Sequence, residues 1–461
     1  MDIFLYDDLH PEDCAMLQAL YSRSPDTVLN HIDKVRSSDR GKFMERFYVG
    51  YGHASIGDCG TFTLFLEQIS ILAAKAIQNN NLYNGQEAST RYLDMGKQKV
   101  VDPYGTTESN AIQEKTMNIY RTTLEKITES IKKKYPFDDK EYKTEKLWEN
   151  TMKARAFDVA RGLLPAGVST LVSWSTTLRS CRDNLIRLRC HPAAEVRTLA
   201  KNIFEEVMKK YPSSFNGNEF NSDYEYYKER NEFSDANAME THYILPEKLI
   251  KTYGISDAEI ESMRQGKLIY RNNIVDKNAV DAAEKSLLST RPERAPLPAH
   301  LDSYGRYNMM FLLDYGSFRD VQRHRNGVCQ IPLLTGEYGW NNWYMERFKE
   351  FLSPADFTSL VSELNAQFAR IKALPNQEVA ETQFYIPMGM NIMAHLSYTI
   401  PEMVYVSELR SNKTVHPSLR PIAQQIGNVL KSDFPYMKQY VDMDEASWIG
   451  GKRGEQTITE K

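Results

Sequence analysis

The chain has 461 residues, enough for roughly two to four domains of ordinary size. Its hydrophobic share of 41% and charged share of 26% are globular values and exclude a disordered, collagen-like or disulfide-scaffold protein. With 57 basic against 61 acidic residues and a net charge of −4, non-specific nucleic-acid binding is not expected, and no apolar run approaches the roughly 18 residues of a membrane span.

The N-terminus is acidic from Asp2 and lacks a basic stretch ahead of an apolar one. No secretory signal is expected, and the location expected is cytoplasmic. Cys14, Cys59, Cys181, Cys190 and Cys329 are scattered, without CxxC or a His/Cys cluster, so neither disulfides nor a structural metal are expected.

An amphipathic helix is predicted at about Lys42–Val49, followed by Gly52-His53-Ala54-Ser55-Ile56, a turn compatible with catalysis or with a helix C-cap. Thr61–Glu67 alternates, with Phe62, Leu64 and Leu66 on one face, and reads as a strand. Ser70 is placed to cap a helix carrying Ile71, Leu72 and Ala76, which runs out at Asn79-Asn80-Asn81. In the next segment, Gln86-Glu87-Ala88-Ser89-Thr90-Arg91-Tyr92, extended backbone would point Glu87, Ser89 and Arg91 to one side. Such a triplet suits a nucleotide's phosphate and sugar, or describes a polar loop with a Glu–Arg pair.

Arg161-Gly162-Leu163-Leu164-Pro165 precedes Trp174 and a helix carrying Arg179, Arg182, Asn184, Arg187 and Arg189 beside Leu185, Ile186 and Leu188. That helix is dense in cations for an acidic chain. The join between halves is expected at about 213–240, which is polar, aromatic and poorly periodic.

Beyond the join the pattern returns. Tyr307–Leu313 reads as a strand, Ser317 as the cap of a helix with Phe318 and Val321, and Arg323-His324-Arg325 closes it. Three adjacent donors there suit a phosphate or an electron-rich ring, and equally suit cations complementing a helix dipole. Leu164–Pro165 recurs as Ile386–Pro387, 222 positions on. Arg197, Leu199, Ala200, Ile203 and Pro212 recur at 223 positions as Arg420, Ile422, Ala423, Ile426 and Pro435. Arg189 with His191–Pro192 matches Arg410 with His416–Pro417. The chain reads as a diverged internal repeat. Without an alternating strand–helix series or a glycine-rich turn after a strand, the fold class expected is α+β.

These residues resemble the signature of the flavin-dependent thymidylate synthases: RHR, two residues, S, one residue, NE, one residue, S, one residue, RY. Here it is split. The first half keeps Glu87, Ser89, Arg91 and Tyr92, with Gln86 for Asn and Asn79–Asn81 for RHR; the second keeps Arg323, His324 and Arg325 but has Ile331, Leu333 and Thr335 for the rest. Gln383 replaces Arg161, and Arg410 stays in place. The resemblance implies two tandem domains, 1–225 and 226–461, each a small mixed sheet packed with helices. It implies catalytic parts for His53, Arg189 and His324. Flavin contacts would fall to Ser55, Asp58, Arg179, Asn184, Arg323, His324 and Arg325. Nucleotide contacts would fall to Gln86, Glu87, Ser89, Arg91, Arg161 and Arg189.

Members of that family are homotetramers that bind FAD, dUMP, methylenetetrahydrofolate and NADPH and methylate C5 of the uracil. A tandem copy lets each half keep one part of a composite site, so a homodimer would rebuild a pseudo-tetramer with two working sites. Two other readings stay open: a related flavin enzyme acting at C5 of another pyrimidine nucleotide, and a non-catalytic nucleotide-binding or scaffolding protein.

Overall fold

The computed structural model describes residues 9–24, 26–215, 246–270, 274–374 and 378–444. Most of the expected join, from 216 onward, lies outside the described residues. The fold mixes helices with small sheets, as expected. It divides into two compact units that interleave along the chain: Met1–Glu87 with Thr170–Thr241, and Ala88–Ser169 with His242–Lys461.

In the first unit, α1 (Pro11–Tyr21) starts with proline in its first turn and packs through Met16 and Leu17 against Val35 of α2 (Val28–Ser37). The helix expected at 42–49 begins as α3 (Arg40–Phe43), capped by Asp39, and continues as a π-helical stretch, Met44–Gly50. The widened turn buries Tyr48, whose ring Gly57 of α4 (Ser55–Asp58) approaches so closely that a Cβ would lie 2.5 Å from it. The expected strand is β1 (Thr61–Ser70), with Phe62, Leu64 and Leu66 half-buried and the residues between them exposed. Ser70 does cap α5 (Ile71–Gln78), accepting the Ala73 N–H at 2.9 Å.

The long α6 (Thr107–Lys134), opened by a Thr106/Ser109 capping box, and α7 (Glu145–Ala160) belong to the second unit. A 3-10 turn, Arg161–Leu163, follows α7. β2 (Ser169–Thr177) then pairs with β1, and Thr63 and Ser175 join hydroxyls across the pair at 2.8 Å. The chain continues into α8 (Leu178–Arg189) and α9 (Ala194–Lys210), ending before Pro212.

The second unit adds α10 (Pro246–Tyr253), α11 (Asp257–Arg264), the short strands β3 (Ile269–Tyr270) and β4 (Ile274–Val275), α12 (Lys277–Ala283) and α13 (Lys285–Thr290). Its sheet centres on β5 (Gly305–Asp314). Further along come α14 (Tyr315–Val321), β6 (Val328–Gln330), α15 (Asn342–Phe351), α16 (Pro354–Lys372), α17 (Val379–Thr382), a 3-10 turn at Gln383–Tyr385, β7 (Asn391–Thr399), α18 (Ile400–Arg410) and α19 (Arg420–Asp433). The sheet order is β3-β5-β7-β6, with β4 also on β5. β5 and β7 run antiparallel, Met310 opposite His395 and Leu312 opposite Met393. Leu249 of α10, Met263 of α11 and, between the two helices, Ile255 cover Met310, Leu312 and Met393 in one buried cluster.

One expectation is corrected. Asp314, not Ser317, caps α14, by accepting the Ser317 N–H at 2.8 Å. A carboxylate at that position complements the helix N-terminus better than a hydroxyl two residues inside the helix. Ser317 is released for other contacts.

The repeat is visible in the elements. The 3-10 turn, β2 and the start of α8 recur 222 positions later as the second 3-10 turn, β7 and the start of α18. Within the second unit the two equivalent loops pair with each other. Ala166 N–H donates to Ile386 O (2.9 Å) and Met388 N–H to Leu164 O (2.8 Å). Gly167 N–H donates to Phe384 O and Gly389 N–H to Gly162 O, both at 2.8 Å. Each bond maps onto its partner under the 222-residue shift, as in an isologous interface between identical subunits. The close approach explains both glycines: a Cβ would sit 2.7 Å from Phe384 O at Gly167 and 3.0 Å from Gly162 Cα at Gly389.

Candidate active site

The chemistry-bearing residues fall into one group in each unit. In the second unit, Arg91 is delivered by a turn. Ser89 O accepts from Tyr92 and Leu93 N–H, and Ser89 Oγ accepts the Arg91 N–H at 3.3 Å. The extended run therefore ends at Ser89. Arg91 donates to Asp158 Oδ1 at 2.8 Å and to Thr414 O at 3.2 Å. Burial, then the neighbouring Arg161, push its pKa down to about 10.

Asp158 is fully buried on α7, with Arg155 Nη1 at 3.7 Å. Arg161, 2% exposed, donates to Ser317 Oγ at 2.7 Å and Tyr344 Oη at 3.1 Å, with Asp314 Oδ2 at 3.7 Å. Burial opposes its charge, but Tyr344, Asp314 and Asp320 outweigh burial and its pKa is raised. His416, fully buried, lies against Asp158 O at 3.2 Å through Nε2 and against the Ser418 hydroxyl at 2.8 Å through Nδ1. A carbonyl oxygen only accepts, so Nε2 carries the proton and Nδ1 accepts. Burial drives the His416 pKa well below 6.5.

The RHR residues follow α14 directly. Arg410 of α18 donates from Nε to His324 Nε2 at 2.8 Å and from Nη2 to Asp320 O at 2.7 Å. Arg323 Nε lies 3.8 Å and Arg410 Nη1 4.0 Å from Asp320 Oδ1. Burial raises the Asp320 pKa, but Arg410, Arg91, Arg323 and Arg161 prevail and hold the carboxyl below its usual range. His324 is buried, and burial followed by Arg410 pushes its pKa down to about 3. It is a neutral acceptor that orients Arg410. Arg323 is the open member, its side chain 55% exposed, and Arg325 is half-buried. Guanidiniums (Arg91, Arg155, Arg161, Arg323, Arg410) outnumber carboxylates (Asp158, Asp314, Asp320), which leaves the group suited to an anion.

In the first unit, Asp58 and Arg179 pair at 2.9 Å, both half-exposed, and Asn184 Nδ2 donates to Ser180 O at 2.8 Å. With Asn80, Ser175 and Thr177 they line a cavity of about 620 Å³. Asn80 belongs to the run that stands where RHR is expected. His53 is exposed and stacks on Tyr51, Ser55 opens α4, and Arg189 ends α8 half-buried; none of these three lines that cavity. Gln86 is exposed, and Glu87 accepts from Gln78 Nε2 at 2.8 Å.

The structure thus brings Arg91 and Arg161 from the first half together with Arg323 and His324 from the second. It places Asp58, Arg179 and Asn184 in one cavity. Sequence reasoning missed Asp158, Asp320, Tyr344 and His416 as members of the arginine group. Asp320 and Asp158 each stand three residues before a singled-out arginine, which puts them one helical turn away. His416 was seen only as a repeat marker, and nothing local to Tyr344 signals its contact. Among the described residues no helix is long and apolar enough to cross a membrane.

Residues 6–213 match the family model described as thymidylate synthase complementing protein. A UPF0159 protein of Chlamydia pneumoniae is 24% identical over 425 residues, 83% of this chain and 76% of the relative. A flavin-dependent thymidylate synthase of Pyrococcus furiosus is 24% identical over 183 residues, 39% of this chain and 66% of the relative. Among solved structures, the flavin-dependent thymidylate synthase of Helicobacter pylori complexed with FAD and dUMP aligns at 18% identity and a TM-score of 0.28, over 45% of this chain and 94% of that one.

Proposed function

We propose, for a chain whose residues 6–213 match the family model of thymidylate synthase complementing protein, a flavin-dependent enzyme that methylates C5 of dUMP. One observation carries the reading. The parts of the signature that the two halves keep separately, Arg91 with Arg161 and Arg323 with His324, gather around Asp320 and Arg410 in one unit. The paired loops Leu164–Gly167 and Ile386–Gly389 support the tandem copies, 1–225 and 226–461, on which this complementation rests.

In this reading the nucleotide's phosphate binds the exposed guanidinium of Arg323, with Arg410 and Arg91 behind it and Ser89 beside Arg91. Asp320 stays ionised and fixes the Arg410 fork. His324 takes the Arg410 Nε–H and moves no proton near pH 7. Arg161, closed in by Tyr344 and Ser317, sets the local field rather than gripping the ligand. The donor set of the first-unit cavity, with Asp58, Arg179 and Asn184, fits the hydroxyls and phosphates of FAD. Gln86, Glu87, His53, Ser55, Arg189 and Arg325 are assigned to the same two ligands. FAD, when bound, supplies the hydride, with methylenetetrahydrofolate and NADPH as co-substrates. A pair of chains would form the pseudo-tetramer.

The experiment is flavin absorbance of the reconstituted protein titrated with dUMP, followed by tritium release from C5-labelled dUMP. The reading expects a dUMP-perturbed flavin spectrum and turnover. Arg323→Ala should weaken dUMP about ten- to hundred-fold. The internal pairing of Arg161 favours a second reading, a nucleotide-binding protein without turnover, which binds dUMP but releases no tritium. Absence of both flavin and dUMP binding removes the first reading.

A further inference from the structure

α8 and α18 hold corresponding places in the repeat, yet their outward faces differ. α8 presents Arg179, Asp183 and Asn184 to the polar cavity of the first unit. α18 presents Pro401, Val404, Tyr405 and Leu409 to a second cavity of about 480 Å³, wholly within the second unit. Pro296 and Leu297 also line it. Tyr405 is 58% and Leu409 43% exposed, and, four residues apart, they share one helix face. The volume lies within the range of small-molecule sites, which join apolar walls to a few placed polar groups.

The charges at this cavity are already matched. Arg291 pairs with Glu408, Arg294 with Glu293 at 3.8 Å, and Asp442 with Arg420 at 3.7 Å. An ionic ligand would find no uncompensated partner there. Arg291 carries the second observation. Its side chain is 5% exposed, Nη1 donates to Ala295 O and Nη2 to Glu408, and its Nε–H meets no acceptor among the described residues. A buried donor left unmatched costs free energy; a shift of the Arg291 side chain off the Tyr440 ring it lies over would bring this enclosed Nε–H to an acceptor on a ligand and recover that cost. Tyr405 also meets His324 edge-on at 5.6 Å between centroids, so the aromatic wall abuts the RHR residues.

We propose that this cavity binds an uncharged planar heteroaromatic ring, stacked on Tyr405 against Leu409 and Pro296, with a ring acceptor directed toward Arg291. The site is independent of the thymidylate reading, because it uses none of the residues assigned to dUMP or FAD.

The test is fluorescence titration of the full chain with lumichrome, and equilibrium dialysis with adenine, beside 2-naphthalenesulfonate as an anionic ring of similar size. The proposal expects saturable one-to-one binding of at least one neutral ring, tighter than the sulfonate. The tighter neutral ring tells a flavin-type from a purine-type source. Tyr405→Ala should weaken it about ten-fold, Tyr405→Phe should retain it, and Arg179→Ala should leave it unchanged. Leu409→Asn, at an exposed position, repeats the test if Tyr405→Ala fails to fold. Equal affinity in Tyr405→Ala or Leu409→Asn, tighter binding of the sulfonate, or no saturable binding of either neutral ring overturns the proposal.

Discussion

The strand pair β1–β2 and the strand pair β5–β7 are the same motif in two environments. Leu171 of β2 is 54% exposed; Met393, 222 positions later on β7, is fully buried. Phe65 on β1 is 76% exposed, whereas Met310 and Leu312 on β5 are buried beneath Leu249, Ile255 and Met263. The helices α10 and α11 make the difference. Burial follows: β1 keeps a half-buried alternation, and every residue of β7 is buried. A sheet covered on both faces loses the period-two signal that marks a one-sided one. The segment 246–264 thus turns a two-faced strand pair into a core.

The largest expected effect breaks the comparison at its ion pairs. Asp314 is fully buried and shared by Arg161, Tyr344 and Ser418; Asp58 meets Arg179 at the surface. Asp314→Ala strands a buried guanidinium and should cost about 3–5 kcal/mol. Asp58→Ala should cost about 0–1 kcal/mol. Urea unfolding of both variants measures the contrast, and equal losses would contradict the burial difference. The next effect lies in the sheets themselves. Met393→Ala should cost about 2–5 kcal/mol and Leu171→Ala only about 0.5 kcal/mol in the same assay.

Much of this was legible. Strand and helix recur where alternation and apolar spacing put them, with the first cap at Ser70 as expected and the second at Asp314 instead of Ser317, and the 222-residue loop match turned out to be a pair of loops bonded to each other. The arginine group was half legible. Arg91, Arg161, Arg323 and His324 carry the signature, but their carboxylate partners arrive from other elements. Asp314 was overlooked because a strand's last residue doubles as a helix cap, and Ser317 is the more familiar cap residue. The π-helical stretch 44–50 keeps a helical apolar spacing and so hid from periodicity. The covered sheet face could not be foreseen, because α10 and α11 reach it through tertiary packing alone.

Acid should act through the buried histidines of both units. In the second unit burial pushes His324 down to about 3, His395 to about 4 and His416 well below 6.5, and in the first unit it pushes His191 well below 6.5. A base depressed on folding contributes stability that is complete above its unfolded value of about 6.5 and is lost as pH falls toward the folded value. Urea midpoints should therefore drop between about pH 6.5 and 4, and His324→Gln should flatten that slope without abolishing it, because His416, His395 and His191 remain. A wild-type midpoint that stays level over this window would mean that none of these histidines is held neutral.

The smallest effect sharpens the comparison at the caps. Ser70 and Asp314 stand at the same strand-to-helix corner in the two copies, each accepting a backbone N–H inside the helix it opens. Their surroundings differ. Ser70 also receives Glu195, whose Oε1 accepts the Ser70 N–H at 2.8 Å and whose other oxygen takes the hydroxyl proton. Asp314 faces Arg161 instead. Ser70→Ala should cost about 1 kcal/mol, the usual worth of a cap. Ser70→Asp is a good cap by type, yet it sets a second carboxylate against Glu195 and should cost more than the alanine. Adding Glu195→Gln should recover most of that excess, leaving a variant no worse than Ser70→Ala. If Ser70→Asp alone matched wild type, charge context would not be what separates the two corners.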